Sequence, residues 1–168
     1  ALVKALRPDA TCTHLRGNVP TRIEKLRGDD HDAILLASAG LHRLDRAVVR
    51  GEGEAIDRSE FIEIDLDPTL FVPAPSQGAL ALQVRLDDEV VHNSIARLDD
   101  LRPRRAVEAE RELLALVEAG CQVPFGAYAE VSEDDSLELH AALEVGNELR
   151  RCRECGGNVR TVARAAYA

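Results

Sequence analysis

Apolar residues along the chain switch between strand-like and helical spacing, and the switches divide it into segments. Thr11 to Leu15 is a short β-prone run. Asn18 suits the N-cap of a helix from Val19 to about Arg27, with Pro20 tolerated in its first turn and Gly28 as its stop. Asp32 to Ala37 is an apolar run between polar flanks, the pattern of a buried parallel strand. Ser38-Ala39-Gly40 reads as a turn into a second helix from Leu41 to about Val49, and Phe61 to Leu66 alternates as a strand with one wetter face. Strands alternating with helices predict an α/β layer, which gathers ligands at the carboxyl ends of its strands.

Three prolines, Pro68, Pro73 and Pro75, punctuate the next stretch and predict a crossing between domains. Ala79 to Val84 is strand-like and Asp87 to Leu98 helical. A strong helix is predicted from Pro103 to about Ala119, with Gly120 as its stop, an apolar stripe of Val107, Leu113, Leu114 and Val117, and a solvated face of Arg104, Arg105, Glu108, Arg111 and Glu112. Phe125 to Val131 and Leu137 to Val145 form an antiparallel hairpin through the acidic turn Ser132 to Ser136. No internal repeat is present.

Composition narrows the class. The 168 residues are 45% hydrophobic and 30% charged, a globular composition with enough chain for a real core. No apolar run approaches the roughly 18 residues of a membrane span, and none resembles a secretory signal. A net charge of −9 argues against nucleic acid or anionic lipid as a partner. The basic residues are 19 Arg beside only Lys4 and Lys25, which fits either a halophilic source or GC-rich coding. The tail from Arg150 holds five Arg and one Glu, a local balance of +4. The chain has no Met and begins Ala1-Leu2, so it is expected to be part of something longer. Four cysteines in an acidic chain without a signal segment predict reduced thiols and a cytoplasmic location.

Arg16-Gly17-Asn18 opens a helix and Arg22 follows six residues after Arg16, so forked donors stand near backbone amides that favour anions. Arg43 follows the turn at Ser38-Ala39-Gly40. On spacing alone these arginines read first as surface partners for the abundant carboxylates. Cys121 lies just beyond a helix stop, where the negative end of the dipole does not promote a thiolate, so it reads as a structural cysteine or as one whose reaction partner is activated by other means. Cys152 and Cys155 have Cys-x-x-Cys spacing, but no second pair accompanies them and only His140 is near in sequence; a zinc-binding tail is the weaker alternative to an incidental pair, and no metal is expected. His14, His31, His42 and His92 form no catalytic or metal spacing, and no phosphate loop occurs.

Four segments in order closely resemble porphobilinogen deaminase, or hydroxymethylbilane synthase: Leu15-Arg16-Gly17-Asn18-Val19-Pro20-Thr21-Arg22; Asp32 through Leu44; Ser76-Gln77-Gly78-Ala79; and Glu118-Ala119-Gly120-Cys121-Gln122-Val123-Pro124. The resemblance runs from about Arg7 to Val145 and corresponds to the later part of that enzyme. It implies a partial periplasmic-binding-protein-like α/β domain over 1–68, an interdomain crossing and returning strand over 69–86, and a C-terminal α+β domain with an antiparallel sheet over 87–168. It implies stepwise condensation of four porphobilinogen units into hydroxymethylbilane with release of ammonia, in tetrapyrrole and haem biosynthesis. A dipyrromethane cofactor would be joined by a thioether to Cys121; an ordinary thiol suffices, because the pyrrole methylene left as ammonia departs is strongly electrophilic. Arg16, Arg22 and Arg43 would hold substrate carboxylates, and Asn18, Gln77 and Gly78 would line the cleft.

Departures from the family are specific. Its catalytic aspartate and Ser-x-Arg-Arg motif lie upstream of anything in this sequence, so the chain carries no catalytic residue of its own and is expected to be inactive alone, and monomeric when whole. Ala119 replaces the first glycine of the cysteine loop, and Ser76 replaces a Gly or Ala before Gln77. The competing reading is a non-enzymatic anion-binding or regulatory module.

Overall fold

Alternation in the second half of the chain produces the hairpin where it is expected. In a computed structural model, which describes residues 2–28, 30–117, 124–146 and 148–168, strand β1 (Phe125–Val131) pairs antiparallel with β2 (Leu137–Val145), with Ala127 opposite Ala141 and Ala129 opposite Leu139. The turn closes through Ser132 N–H to Ser136 O at 2.9 Å, with Asp135 at φ +67°. A third strand, β3 (Glu148–Gly156), pairs along the whole of β2, giving the order β1-β2-β3. The sequence reading missed β3: its Arg150 and Arg151 fall on opposite faces, which erases the alternation, and an edge strand tolerates that because one side of it is wet.

The chain divides into two units, residues 1–9 with 66–168, and residues 10–65. The first unit holds the short helix α1 (Leu2–Leu6), the helix α4 (Glu89–Ile95) continued by a 3₁₀ turn at Ala96–Leu98, the long helix α5 (Leu101–Val117), the sheet, and α6 (Val159–Tyr167). Both α5 and α6 pack on one face of the sheet. Ala106, Ala109 and Leu113 of α5 and Val162 and Ala163 of α6 meet Ala127, Ala129, Leu137, Leu139 and Ala141, so small residues bring helix and sheet into close approach. The stripe of α5 is therefore rotated from the expected one: Val107 and Leu114 are half-buried, and Ala106, Ala109, Glu110 and Leu113 face the sheet. Arg105 also leaves the expected solvated face, pairing with Asp135 and donating to Gly157 O at 3.1 Å. It ties the start of α5 to one end of the sheet, where the β1–β2 turn and the exit of β3 lie side by side. Asn158 caps α6 by accepting from Thr161 N–H at 3.1 Å.

The second unit holds α2 (Val19–Arg27) and α3 (Ser38–Val49). Helix α3 begins one turn earlier than expected: Ser38-Ala39-Gly40 is helical, and a Cβ on Gly40 would lie 3.2 Å from Val19 Cγ2. This glycine serves close helix packing rather than a turn. The strands expected at 11–15, 32–37, 61–66 and 79–84 do not form; these residues run without a ladder partner among the described residues. Leu35 is 54% exposed, Ile62 89% and Leu80 85%. Periodicity marks which side chains seek burial, but a strand exists only when a neighbouring backbone accepts its hydrogen bonds.

Candidate functional site

Within the second unit, the Arg16-Gly17-Asn18 turn is built by the first turn of α2. Asn18 Oδ1 accepts from Thr21 N–H at 2.9 Å and from the Thr21 hydroxyl at 2.6 Å. Gly17 adopts φ +125°, and a Cβ there would meet Thr21 Cγ2 at 2.9 Å, so glycine is required twice over. The carbonyls of the turn are latched back onto the helix. Arg22 Nε donates to Gly17 O at 2.8 Å, and Lys25 Nζ donates to Arg16 O at 3.0 Å. Sequence reasoning missed Lys25; its signal was the distance of nine residues from Arg16, two helical turns beyond the cap.

Contact between Val19 and Gly40 sets the first turns of α2 and α3 side by side. Ala37 provides no side-chain cap for α3, and the Gly40 amide of that first turn already donates to Ala37 O at 2.8 Å. Arg43 lies in its second turn. Among the described residues Arg16, Arg22 and Arg43 form no ion pair, whereas Arg27 engages Glu24 and Glu60, and Arg58 engages Asp45 and Glu63. Arg46 and Arg50 are also without a carboxylate partner, so position at the helix starts, rather than freedom alone, distinguishes the three. The structure thus gathers Arg16, Asn18 and Arg22 at one helix start and places Arg43 on its neighbour.

Gln77 and Gly78 belong to the first unit. They are exposed on a turn closed by Gln77 N–H to Ala74 O at 3.1 Å and Ala79 N–H to Ser76 O at 3.0 Å. Ser76 enters the turn at φ +62°, a left-handed conformation unusual for a residue with a Cβ, and its buried hydroxyl has no partner among the described residues. Its amide donates to Glu110 Oε2 at 2.6 Å. Glu110 is only 6% exposed, and its other oxygen accepts from Ala129 N–H at 2.8 Å. Burial pushes this carboxyl above its ordinary range, against the two backbone donors that favour the charged form. Glu110 escaped sequence reasoning because only large apolar residues were counted in the stripe of α5; with Ala106 and Ala109 included, it falls on the buried face.

Cys121 lies outside the described residues. Cys152 and Cys155, three apart on β3, fall on opposite faces of the strand and so make no one-sided half of a metal site. The Cys152 thiol donates to Ala166 O at 3.3 Å and is pushed up by burial, whereas exposed Cys155 lies beside Glu138. Among the described residues no three His, Cys, Asp or Glu side chains are grouped to hold a metal ion, and no helix is long and apolar enough to cross a membrane.

Residues 1–93 match the family model for the porphobilinogen deaminase dipyrromethane cofactor binding domain, and residues 104–165 match that for the porphobilinogen deaminase C-terminal domain. The chain belongs to the porphobilinogen deaminase family. It is 43% identical over 141 residues to the porphobilinogen deaminase of Bacillus mycoides (strain KBAB4), covering 84% of this chain and 42% of that protein. Against the porphobilinogen deaminase of Roseiflexus sp. (strain RS-1) it is 47% identical over 135 residues, covering 80% of this chain and 41% of the relative. The chain thus spans about two-fifths of the length of these deaminases. Arg16, Arg22, Arg43, Gln77 and Gly78 fall in the segment that matches the deaminase cofactor-binding domain, and Glu110 and Cys121 in that matching the C-terminal domain.

Proposed function

We propose that this chain is part of a transferase that condenses four porphobilinogen units into hydroxymethylbilane, releasing one ammonia at each addition. The observation that carries the reading is the trio Arg16, Arg22 and Arg43. Among the described residues they stand without ion pairs at two adjacent helix starts, inside the segment that matches a cofactor-binding domain. The acetate and propionate groups of a pyrrole chain are the ligands such a site fits: guanidinium forks bind carboxylates in two-point fashion, and the positive dipole end of α3, which has no side-chain cap, adds to the attraction. The latches from Arg22 and Lys25 tie down the Arg16-Gly17 backbone, so this turn and the Arg22 side chain are held in place before a ligand arrives.

A dipyrromethane joined to Cys121 by a thioether would supply the primer to which pyrroles are added. Asn18 holds the Arg-Gly-Asn turn in shape, and Gln77 and Gly78 contribute to the cleft wall. The family's catalytic aspartate has no counterpart among the 168 residues, so this chain by itself binds without turning over substrate. The whole protein is proposed to be a cytoplasmic monomer of periplasmic-binding-protein-like α/β organisation, with residues 1–68, 69–86 and 87–168 in its second domain, crossing and third domain.

The deciding measurement is the intact mass of the protein expressed from its complete reading frame in a haem-making host. A mass above that of the polypeptide by one dipyrromethane, lost in Cys121→Ser, is expected. An unmodified protein overturns the enzyme reading and leaves a non-enzymatic anion-binding module.

A further inference from the structure

A buried carboxylate among alanines and leucines needs a reason, since Glu110 loses its hydration and pairs with no cation among the described residues. Its geometry supplies one. The outer edge of β1 is followed by the extended residues 72–74. Ala127 N–H donates to Pro73 O at 3.0 Å, and the approach is so close that a Cβ on Gly126 would lie 2.7 Å from Val72 O. The next outward amide of β1 is that of Ala129. A continuing strand would meet it with another carbonyl, but the chain turns away through Pro75 into left-handed Ser76. Glu110 takes the place of that carbonyl. One oxygen accepts from Ala129 and the other from Ser76, so a single side chain of α5 joins the sheet edge to the departing turn. No neutral side chain does the same, because Gln offers one acceptor and would aim an amide donor at the second N–H.

We propose that Glu110 is a positioning residue: by clipping Ser76 to β1 it fixes the turn that presents Gln77. This rests on the reading of Gln77 as part of the cleft wall. Ser76 is the residue that the clip must restrain, because its positive φ is a conformation that a free chain would abandon. Gln77 follows it directly, and among the described residues its one hydrogen bond runs from its amide to Ala74 O.

The test uses the complete enzyme with Glu110→Gln, Gln77→Ala and the double variant. Amide hydrogen exchange is followed at Ser76 and Ala129, with kcat and KM for porphobilinogen. In Glu110→Gln, protection at one or both amides should fall about tenfold to a hundredfold, as expected for losing a hydrogen bond to a charged group. KM should rise severalfold with a smaller change in kcat, and this effect should vanish when Gln77 is already Ala. Unchanged protection at both amides overturns the proposal, as does a Glu110→Gln effect that persists at full size in the Gln77→Ala background. If Gln77→Ala alone leaves turnover unchanged, the cleft role of Gln77 fails and the positioning role falls with it. Should Glu110→Gln not fold, Glu110→Asp keeps the charge but is one methylene shorter and cannot span both amides; the same three readouts then decide.

Discussion

Replacing Ser76 with glycine should stabilise this protein, although it removes a side chain. Two features of Ser76 oppose folding: φ is +62°, and Oγ is buried without a partner among the described residues. A left-handed conformation costs a residue bearing a Cβ about 1–2 kcal/mol, and an orphaned buried hydroxyl about 1–3 kcal/mol. Glycine returns about 0.5–1 kcal/mol of this through the greater freedom of its unfolded backbone. The net expectation is a gain of about 2 kcal/mol, or roughly 4–8 °C in Tm for a chain of this size. Ser76→Ala separates the contributions, since it deletes the hydroxyl but keeps the Cβ, and should recover about 1 kcal/mol. Urea denaturation of the three proteins, comparing midpoints at constant slope, measures both steps. If glycine is no better than alanine, backbone strain at Ser76 is absent; if both variants are less stable than the parent, the hydroxyl is satisfied and the reasoning fails.

Further outcomes can be checked independently. Gly126→Ala should destabilise by about 2–3 kcal/mol, since its Cβ would meet the Val72 and Pro73 carbonyls at 2.7 and 3.0 Å and backbone must move; an unchanged denaturation midpoint contradicts the close approach. Arg22→Glu should abolish most turnover in the complete enzyme through repulsion of ligand carboxylates, while the loss of its bond to Gly17 O costs only about 1 kcal/mol of stability. Near-normal kcat/KM would refute the carboxylate role. The fork of Arg153, helped by His140 against slight desolvation, holds Glu138 down to about 2, below its ordinary 4.5. Because the folded value is the lower one, the associated stability is present above pH 4.5 and is lost as the pH falls toward 2. The pair is partly exposed, so this amounts to less than about 1 kcal/mol, and Arg153→Ala should flatten that acid limb in pH-dependent denaturation.

Local rules in the sequence determined much of this protein. The bounds of α2, β1 and β2 follow from the cap at Asn18, the stop at Gly28 and strict alternation around the acidic turn, because each is decided by residues within a few positions of one another. Family membership was legible for a related reason: Arg16-Gly17-Asn18, Ser38-Ala39-Gly40, Gln77-Gly78 and Gly120-Cys121-Gln122 are short segments whose chemistry survives in the residue types themselves. Only the tertiary structure decided the rest. The apolar runs at 32–37 and 61–66 carry the residues of strands, yet among the described residues they join no ladder. Residues 148–156, with arginines on both faces, became a strand because β2 offered its free edge. Gly40 proved to be a packing residue once Val19 was seen against it, and Glu110 a clip once the edge of β1 and the Ser76 turn came within reach of its two oxygens. Hydrogen-bond partners distant in sequence leave no periodicity behind, which is why a carboxylate buried at the junction of helix, sheet and turn reads along the chain as one more acidic residue on a charged helix.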